Sequence, residues 1–334
     1  MSFDPGRLGA LYPFTPRRMQ AAVRGPSGAP AEMSYVDEGP PDGPAMLLLH
    51  GNPTWSFYYR EVIKAFRARF RCVAPDHVGH GLSDKPQRYP YTLGAHVANV
   101  EALVERLALR DVTLVVHDWG GAIGMGWATR HPELVRRIVV LNTSAFRSER
   151  IPFSIDLCRV PGLGALMIRG LNAFGRAAVV RAATSRLPRA VVQGYLGPYG
   201  SWGERVGHLR AVQDIPMHPG VPSWPVIEEI EGRLGDLRAK PMLICWGGRD
   251  FCFDDSFLEG WKRRFPEAEV HRFADAGHYV LEDAGEQVIE RVRGFLARTD
   301  ARTVAGSNGP SGAQTEAKPG GEPRPARPAE LASS

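Results

Sequence analysis

Three separated segments of the chain carry residue types that could act together on a carbon electrophile. The first, Leu114-Val-Val-His-Asp118-Trp119-Gly120-Gly121, is an apolar run ending in a carboxylate, an indole and two glycines. A buried strand that turns sharply into a helix at small residues lifts one side chain clear of the sheet, and here that side chain is Asp118. The second, His50-Gly51-Asn52-Pro53-Thr54-Trp55, follows another apolar run and can bring an N–H donor to a developing anion. The third holds Asp250, at the end of Cys245-Trp-Gly-Gly-Arg-Asp250, and His278, at the end of Ala274-Asp-Ala-Gly-His278. Nucleophile, acid and histidine in that chain order form a triad in which Asp250 orients the His278 ring and stabilises its charged form.

Each piece also has a plainer reading. An aspartate before a helix is commonly its N-cap, and a histidine in a glycine-containing loop is commonly structural. Asp254, Asp255 and Asp275 are alternative acids, each read as a surface residue. In the Pro75-Asp76-His-Val-Gly-His80-Gly-Leu-Ser-Asp84 loop, the Asp, His and Ser side chains are read as fixing the loop by hydrogen bonds. The three motifs in register favour chemistry over these separate readings.

An aspartate nucleophile makes chemical sense where the target is an alkyl carbon. Serine would form an ether, which water does not readily reverse, whereas a carboxylate forms an ester or anhydride that can be resolved. The carboxylate is already ionised, so His278 is free for the second half-reaction. No metal or organic cofactor is required.

The elements that must position these residues follow from hydrophobic patterning. Residues 45–49, 72–74, 113–117, 137–141 and 241–246 read as fully buried strands, with amphipathic helices over 92–109, 121–131 and 256–265. Such alternation predicts a mostly parallel sheet covered by helices on both faces, with an early antiparallel strand at 33–38. It breaks between 145 and 236, where only helical segments (155–174, 177–195, 204–213) are predicted. This is an all-helical cap inserted after the sixth strand, above the strand ends where open α/β sheets bind ligands. The expected organisation is core over 1–144, cap over 145–236, core again over 237–300, and a Pro/Gly/Ala/Ser-rich disordered tail over 301–334. Of the cap aromatics, Phe146, Phe153, Phe174, Trp202 and Trp224 are read first as core, some of them as pocket lining.

Composition excludes several other classes. A net charge of +5 without a compact Lys/Arg cluster predicts no nucleic-acid partner. The four cysteines, Cys72, Cys158, Cys245 and Cys252, show neither disulfide nor zinc spacing. Neither a signal sequence nor an integral membrane segment is evident, which leads to an expected cytoplasmic location.

With Asp118-Trp119, Asn52, Asp250 and His278 in place, residues 11–298 resemble the haloalkane dehalogenases of the α/β-hydrolase fold. That resemblance implies that Asp118 attacks carbon and that Asn52 and Trp119 hold the leaving halide. Some dehalogenases carry the acid after the sixth strand. Here that place reads Leu141-Asn142-Thr143, so the chain resembles the branch with its acid after the seventh. Segments such as Tyr12-Pro-Phe-Thr-Pro-Arg-Arg18, Gln213-Asp-Ile-Pro216 and His278-Tyr-Val-Leu-Glu-Asp283 look more specifically like the β-lactone decarboxylases of bacterial olefin biosynthesis. This implies a small apolar substrate, a cis-3,4-dialkyl-oxetan-2-one, converted to a cis-alkene and carbon dioxide, with other olefin-pathway enzymes as partners. An epoxide hydrolase would need cap tyrosines, for which Tyr195 and Tyr199 are the candidates. A non-catalytic receptor on the same fold would tolerate loss of triad members, whereas all three are present.

Overall fold

In the computed structural model, which describes residues 3–26 and 28–307, each of the five apolar runs is a strand. They are β3 (Ala45–Leu49), β4 (Arg71–Pro75), β5 (Val112–His117), β6 (Val135–Leu141) and β7 (Met242–Gly247). Two antiparallel strands, β1 (Arg17–Gln20) and β2 (Glu32–Glu38), and a parallel edge strand, β8 (Glu269–Phe273), complete an eight-stranded sheet in the order β1-β2-β4-β3-β5-β6-β7-β8. The unbroken apolar runs are explained by two cores. In β3, Leu47 and Leu49 point into one core and Met46 and Leu48 into the other, and β5 and β7 alternate in the same way. A strand with both faces covered has no solvent side on which to place polar residues.

Helices α2 (Leu93–Arg106), α3 (Trp119–Arg130) and α9 (Asp255–Arg264) cover the first core. Helix α1 (Arg60–Phe66) and the first half of α11 (Gly285–Ser307) cover the second. Thr92 caps α2, its side chain accepting from the Ala95 N–H at 3.3 Å, and satisfies one of the free donors of the first turn.

Between β6 and β7 the described residues form no strand. The helices there are α4 (Phe153–Arg159), a π-helical turn (Ala165–Gly170), α5 (Ala173–Arg181), α6 (Arg189–Leu196), α7 (Val206–Gln213) and α8 (Trp224–Arg233). The segment expected as one helix over 155–174 is broken at Pro161-Gly162, where Gly162 has φ +77°. Helix α8 differs from the expected cap. It packs on α2 and α3, with Ile227 and Ile230 buried in the first core, so the last part of 145–236 covers the sheet as well as reaching the site through Ile227. Residues up to Leu296 form one compact unit. Helix α11 continues to Ser307, inside the stretch from 301 expected as a tail, and 308–334 lie outside the described residues.

Candidate active site

The turn after β5 puts Asp118 at φ 51°, ψ −128°, a backbone state that costs a non-glycine residue about 1–3 kcal/mol. Surrounding structure enforces it. The Asp118 N–H donates to Asn142 O at 3.1 Å, and Thr143 Oγ1 donates to Asp118 O. The neighbours must be glycine for reasons of space: a Cβ on Gly120 would overlap Leu49 O, one on Gly121 would overlap Thr143 Oγ1, and one on Gly51 would overlap the Asp118 carboxylate. Asp118 precedes α3, yet its side chain makes no capping hydrogen bond. Instead Oδ1 accepts from the backbone N–H of Asn52 at 2.5 Å, which removes the N-cap reading.

His278 lies between the two carboxylates. Its Nδ1 is 2.8 Å from Asp250 Oδ2 and its Nε2 is 3.7 Å from Asp118 Oδ2. Because Asp250 can only accept, Nδ1 carries the proton and Nε2 faces the Asp118 side. The imidazole of His117, the last residue of β5, donates from Nε2 to His278 O at 2.9 Å, tying the histidine loop to the strand that ends at Asp118. Asp250 Oδ1 accepts from the N–H groups of Cys252 and Phe253, at 2.6 and 3.0 Å. Its Oδ2 also accepts from Asn142 Nδ2 at 2.9 Å. Asn142, at the place where other sequences of this type carry the acid, thus positions the acid; its own Oδ1 is held by the Gly247 N–H at 2.7 Å. The other candidate acids point elsewhere: Asp254 meets Arg150, Asp255 meets Arg272 and Asp275 meets Arg249.

Electrostatics divide these groups. Burial raises the Asp118 carboxyl above the usual carboxylate range, opposed by the charge of His278 and the N–H groups of Trp119 and Asn52. Burial also disfavours imidazolium at His278, but the charge and hydrogen bond of Asp250, with Asp118 adding to them, hold its pKa above 6.5. The site therefore sets an imidazole whose charged form is favoured by two carboxylates beside a carboxyl whose charged form is disfavoured by burial.

Asn52 and Trp119 sit on either side of Asp118. The Asn52 side chain is oriented from behind: its Oδ1 is 3.2 Å from His80 Nε2, and its Nδ2 donates to His208 O at 3.3 Å. Burial, reinforced by the neighbouring histidines, lowers the His80 pKa well below 6.5, so it remains neutral and can donate from Nε2. The loop reading of Asp76 and Ser83 matches the structure, with Asp76 accepting from the Ser56 and Leu82 N–H groups at 2.7 and 2.8 Å. His80, in the same loop, reaches beyond it to the site through Asn52.

Above Asp118 lies an apolar cavity of about 270 Å³, with Asn52, Trp119 and His278 at its base and Ile155, Phe174 and Ile227 among its walls. Of the cap aromatics, Phe146 and Phe174 line it, whereas Phe153 is 81% exposed and Trp202 48% exposed, so neither of the latter is core. Trp224 lies under the Arg147 guanidinium. Tyr195 and Tyr199 are outside the cavity, bonded to Glu282 and to the Gly81 N–H. The tyrosine pair that an epoxide hydrolase needs is thus absent from the lining.

Residues 44–164 match the model of the α/β hydrolase fold family. A cis-3-alkyl-4-alkyloxetan-2-one decarboxylase of Shewanella oneidensis is 42% identical over 85% of this chain and 91% of its own length. The chain belongs to the family of these decarboxylases. Haloalkane dehalogenases stand further off: haloalkane dehalogenase 2 of Mycobacterium bovis is 31% identical over 83% of this chain and 93% of its own. Among solved structures, a haloalkane dehalogenase of Bradyrhizobium elkani superposes with a TM-score of 0.75 at 26% identity, covering 86% of this chain and all of that one. The decarboxylase family thus shares its architecture with dehalogenases, and a carboxylate–histidine–carboxylate constellation on this scaffold can form and break an ester to carbon.

Proposed function

We propose that the protein is a β-lactone decarboxylase that converts a cis-3-alkyl-4-alkyl-oxetan-2-one to a cis-alkene and carbon dioxide. Asp118 acts as nucleophile, His278 and Asp250 complete the triad, and Asn52 and Trp119 bind the departing oxygens. The carrying observation is the 42% identity to a decarboxylase over nearly its entire length, together with an Asp118 carboxylate that faces an apolar cavity.

The chemistry balances without water. Asp118 Oδ2 attacks ring carbon C4 opposite the ring oxygen, the C4–O bond breaks, and the released carboxylate is received by the Asn52 and Trp119 donors. Backside attack leaves the new C4–Oδ2 bond antiperiplanar to the C2–C3 bond. The electrons of C2–C3 then form the C3=C4 double bond, carbon dioxide departs, and Asp118 leaves as carboxylate. No rotation intervenes, so a cis-lactone yields a cis-alkene. The His278 imidazolium, 3.7 Å from Oδ2, and the Asn52 N–H favour the step in which charge returns to Asp118. A cytoplasmic location and olefin-pathway enzymes as partners belong to this same reading.

The dehalogenase reading uses the same residues but requires neutral His278 to activate water. The two therefore predict opposite pH limbs. Alkene release falls on the acid side as the raised Asp118 carboxyl is protonated, and falls again on the alkaline side as His278, held above 6.5, loses its proton. Halide hydrolysis instead rises as His278 deprotonates. A kcat profile against pH on each substrate separates them. Incubation with a cis-β-lactone and, separately, with 1,2-dibromoethane tests the assignment: alkene with carbon dioxide is expected from the first, and bromide release without alkene formation would overturn it.

A further inference from the structure

The helical segment over the site carries the chain's excess of positive charge. Residues 145–199 contain eight arginines, no lysine and only Glu149 and Asp156 as acids, a net +6 where the whole chain carries +5. Arg176, Arg186 and Arg189 are exposed and have no acidic partner among the described residues. The same segment shows large apolar side chains to solvent: Phe153 is 81% exposed, Val180 75%, Leu171 62% and Leu166 56%. Nearby, Trp202 is stacked under the Arg169 guanidinium, which is 4.6 Å from its ring.

Two of these positions, Phe153 and Val180, border the way into the cavity. Ser154, Ala177, Arg181 and Phe251 both line the cavity and are exposed, so they mark where it opens. Phe153 adjoins Ser154 in the chain, Val180 adjoins Arg181, and the Arg181 guanidinium lies 5.1 Å from the Phe251 ring. Isolated exposed apolar residues need no explanation, but several on one short, strongly basic segment around a cavity mouth do.

We propose that this segment docks on an anionic phospholipid surface, with Phe153, Leu166, Leu171 and Val180 entering the headgroup–acyl boundary and the arginines meeting lipid phosphates. Apolar side chains interleaved with unpaired cations are the chemistry that binds such a surface peripherally. No described helix is long and apolar enough to cross a membrane, so contact is confined to the surface. That the mouth takes its substrate from the bilayer and returns its alkene there rests on the proposed decarboxylase reading; the docking itself rests on charge and exposure alone.

The test is co-sedimentation of the full chain with vesicles of phosphatidylcholine alone and of phosphatidylcholine mixed with phosphatidylglycerol. Binding to the mixed vesicles only, weakening as salt screens the charges, is expected. The variant Leu166→Ser/Leu171→Ser/Val180→Ser is expected to lower vesicle affinity at least about tenfold, with turnover of a short-chain lactone dispersed in buffer unchanged. Equal binding of the variant, or no binding to anionic vesicles, would overturn the proposal. So would a variant whose main change is its oligomeric state, because the face would then be an interface between protein chains. Absence of alkene from any lactone would defeat the decarboxylase reading and leave the vesicle result intact.

Discussion

Replacing Asp118 by alanine is expected to lower alkene formation from a cis-β-lactone by about four orders of magnitude or more, the loss typical of a residue that makes and breaks the covalent bond. The fold should survive. The Asp118 carboxyl is raised above the usual carboxylate range by burial, so its ionised form is less favoured in the folded protein than in the unfolded chain. At neutral pH its removal therefore withdraws a destabilising charge, and the melting temperature is expected to hold or rise. Loss of turnover together with a lowered melting temperature would point to a structural role, whereas loss of turnover alone supports the nucleophile.

The His278→Gln variant is expected to lose about two to four orders of magnitude in kcat, unevenly between the two halves of the reaction. A cation beside Asp118 stabilises the ionised carboxylate. It therefore slows attack, which spends that charge, and speeds departure, which restores it. Glutamine removes the cation, so the covalent intermediate still forms but resolves slowly. The alkaline limb of the pH profile should vanish with the imidazole. Rapid-quench kinetics check both expectations: one equivalent of lactone consumed quickly, followed by slow alkene release. If consumption and release slow together, His278 acts before the bond forms.

The residues of the proposed triad are legible in the chain because their signals are local. A strand ending in Asp118-Trp-Gly-Gly is bound to turn sharply, and the same glycines prove indispensable where Leu49 O and Thr143 Oγ1 press on them. Asn142 carries no such local signal. Its role depends on Gly247 and Asp250, more than a hundred residues away. The local pattern ties His80 only to its own loop, yet its Nε2 reaches Asn52 across the chain fold.

The two strands missed, β1 and β8, lie at the sheet edges, where half-exposed positions admit Arg, Glu and His and erase the apolar run. Helix α8 lies within the stretch read as cap, and an amphipathic pattern is the same whichever surface buries it; only the contact of Ile230 with the core helices shows that α8 also covers the sheet. Phe153 and Trp202 depart from expectation for a related reason: large aromatic side chains are usually buried, and these remain in solvent.

The most direct measurement is the mass of the Asp118-containing peptide from His278→Gln protein quenched soon after mixing with a cis-β-lactone. A gain equal to one intact lactone, located on Asp118 by fragmentation and absent from Asp118→Ala controls, is the predicted result. An unmodified peptide during continuing alkene release, or a lactone carried on another residue, would contradict it.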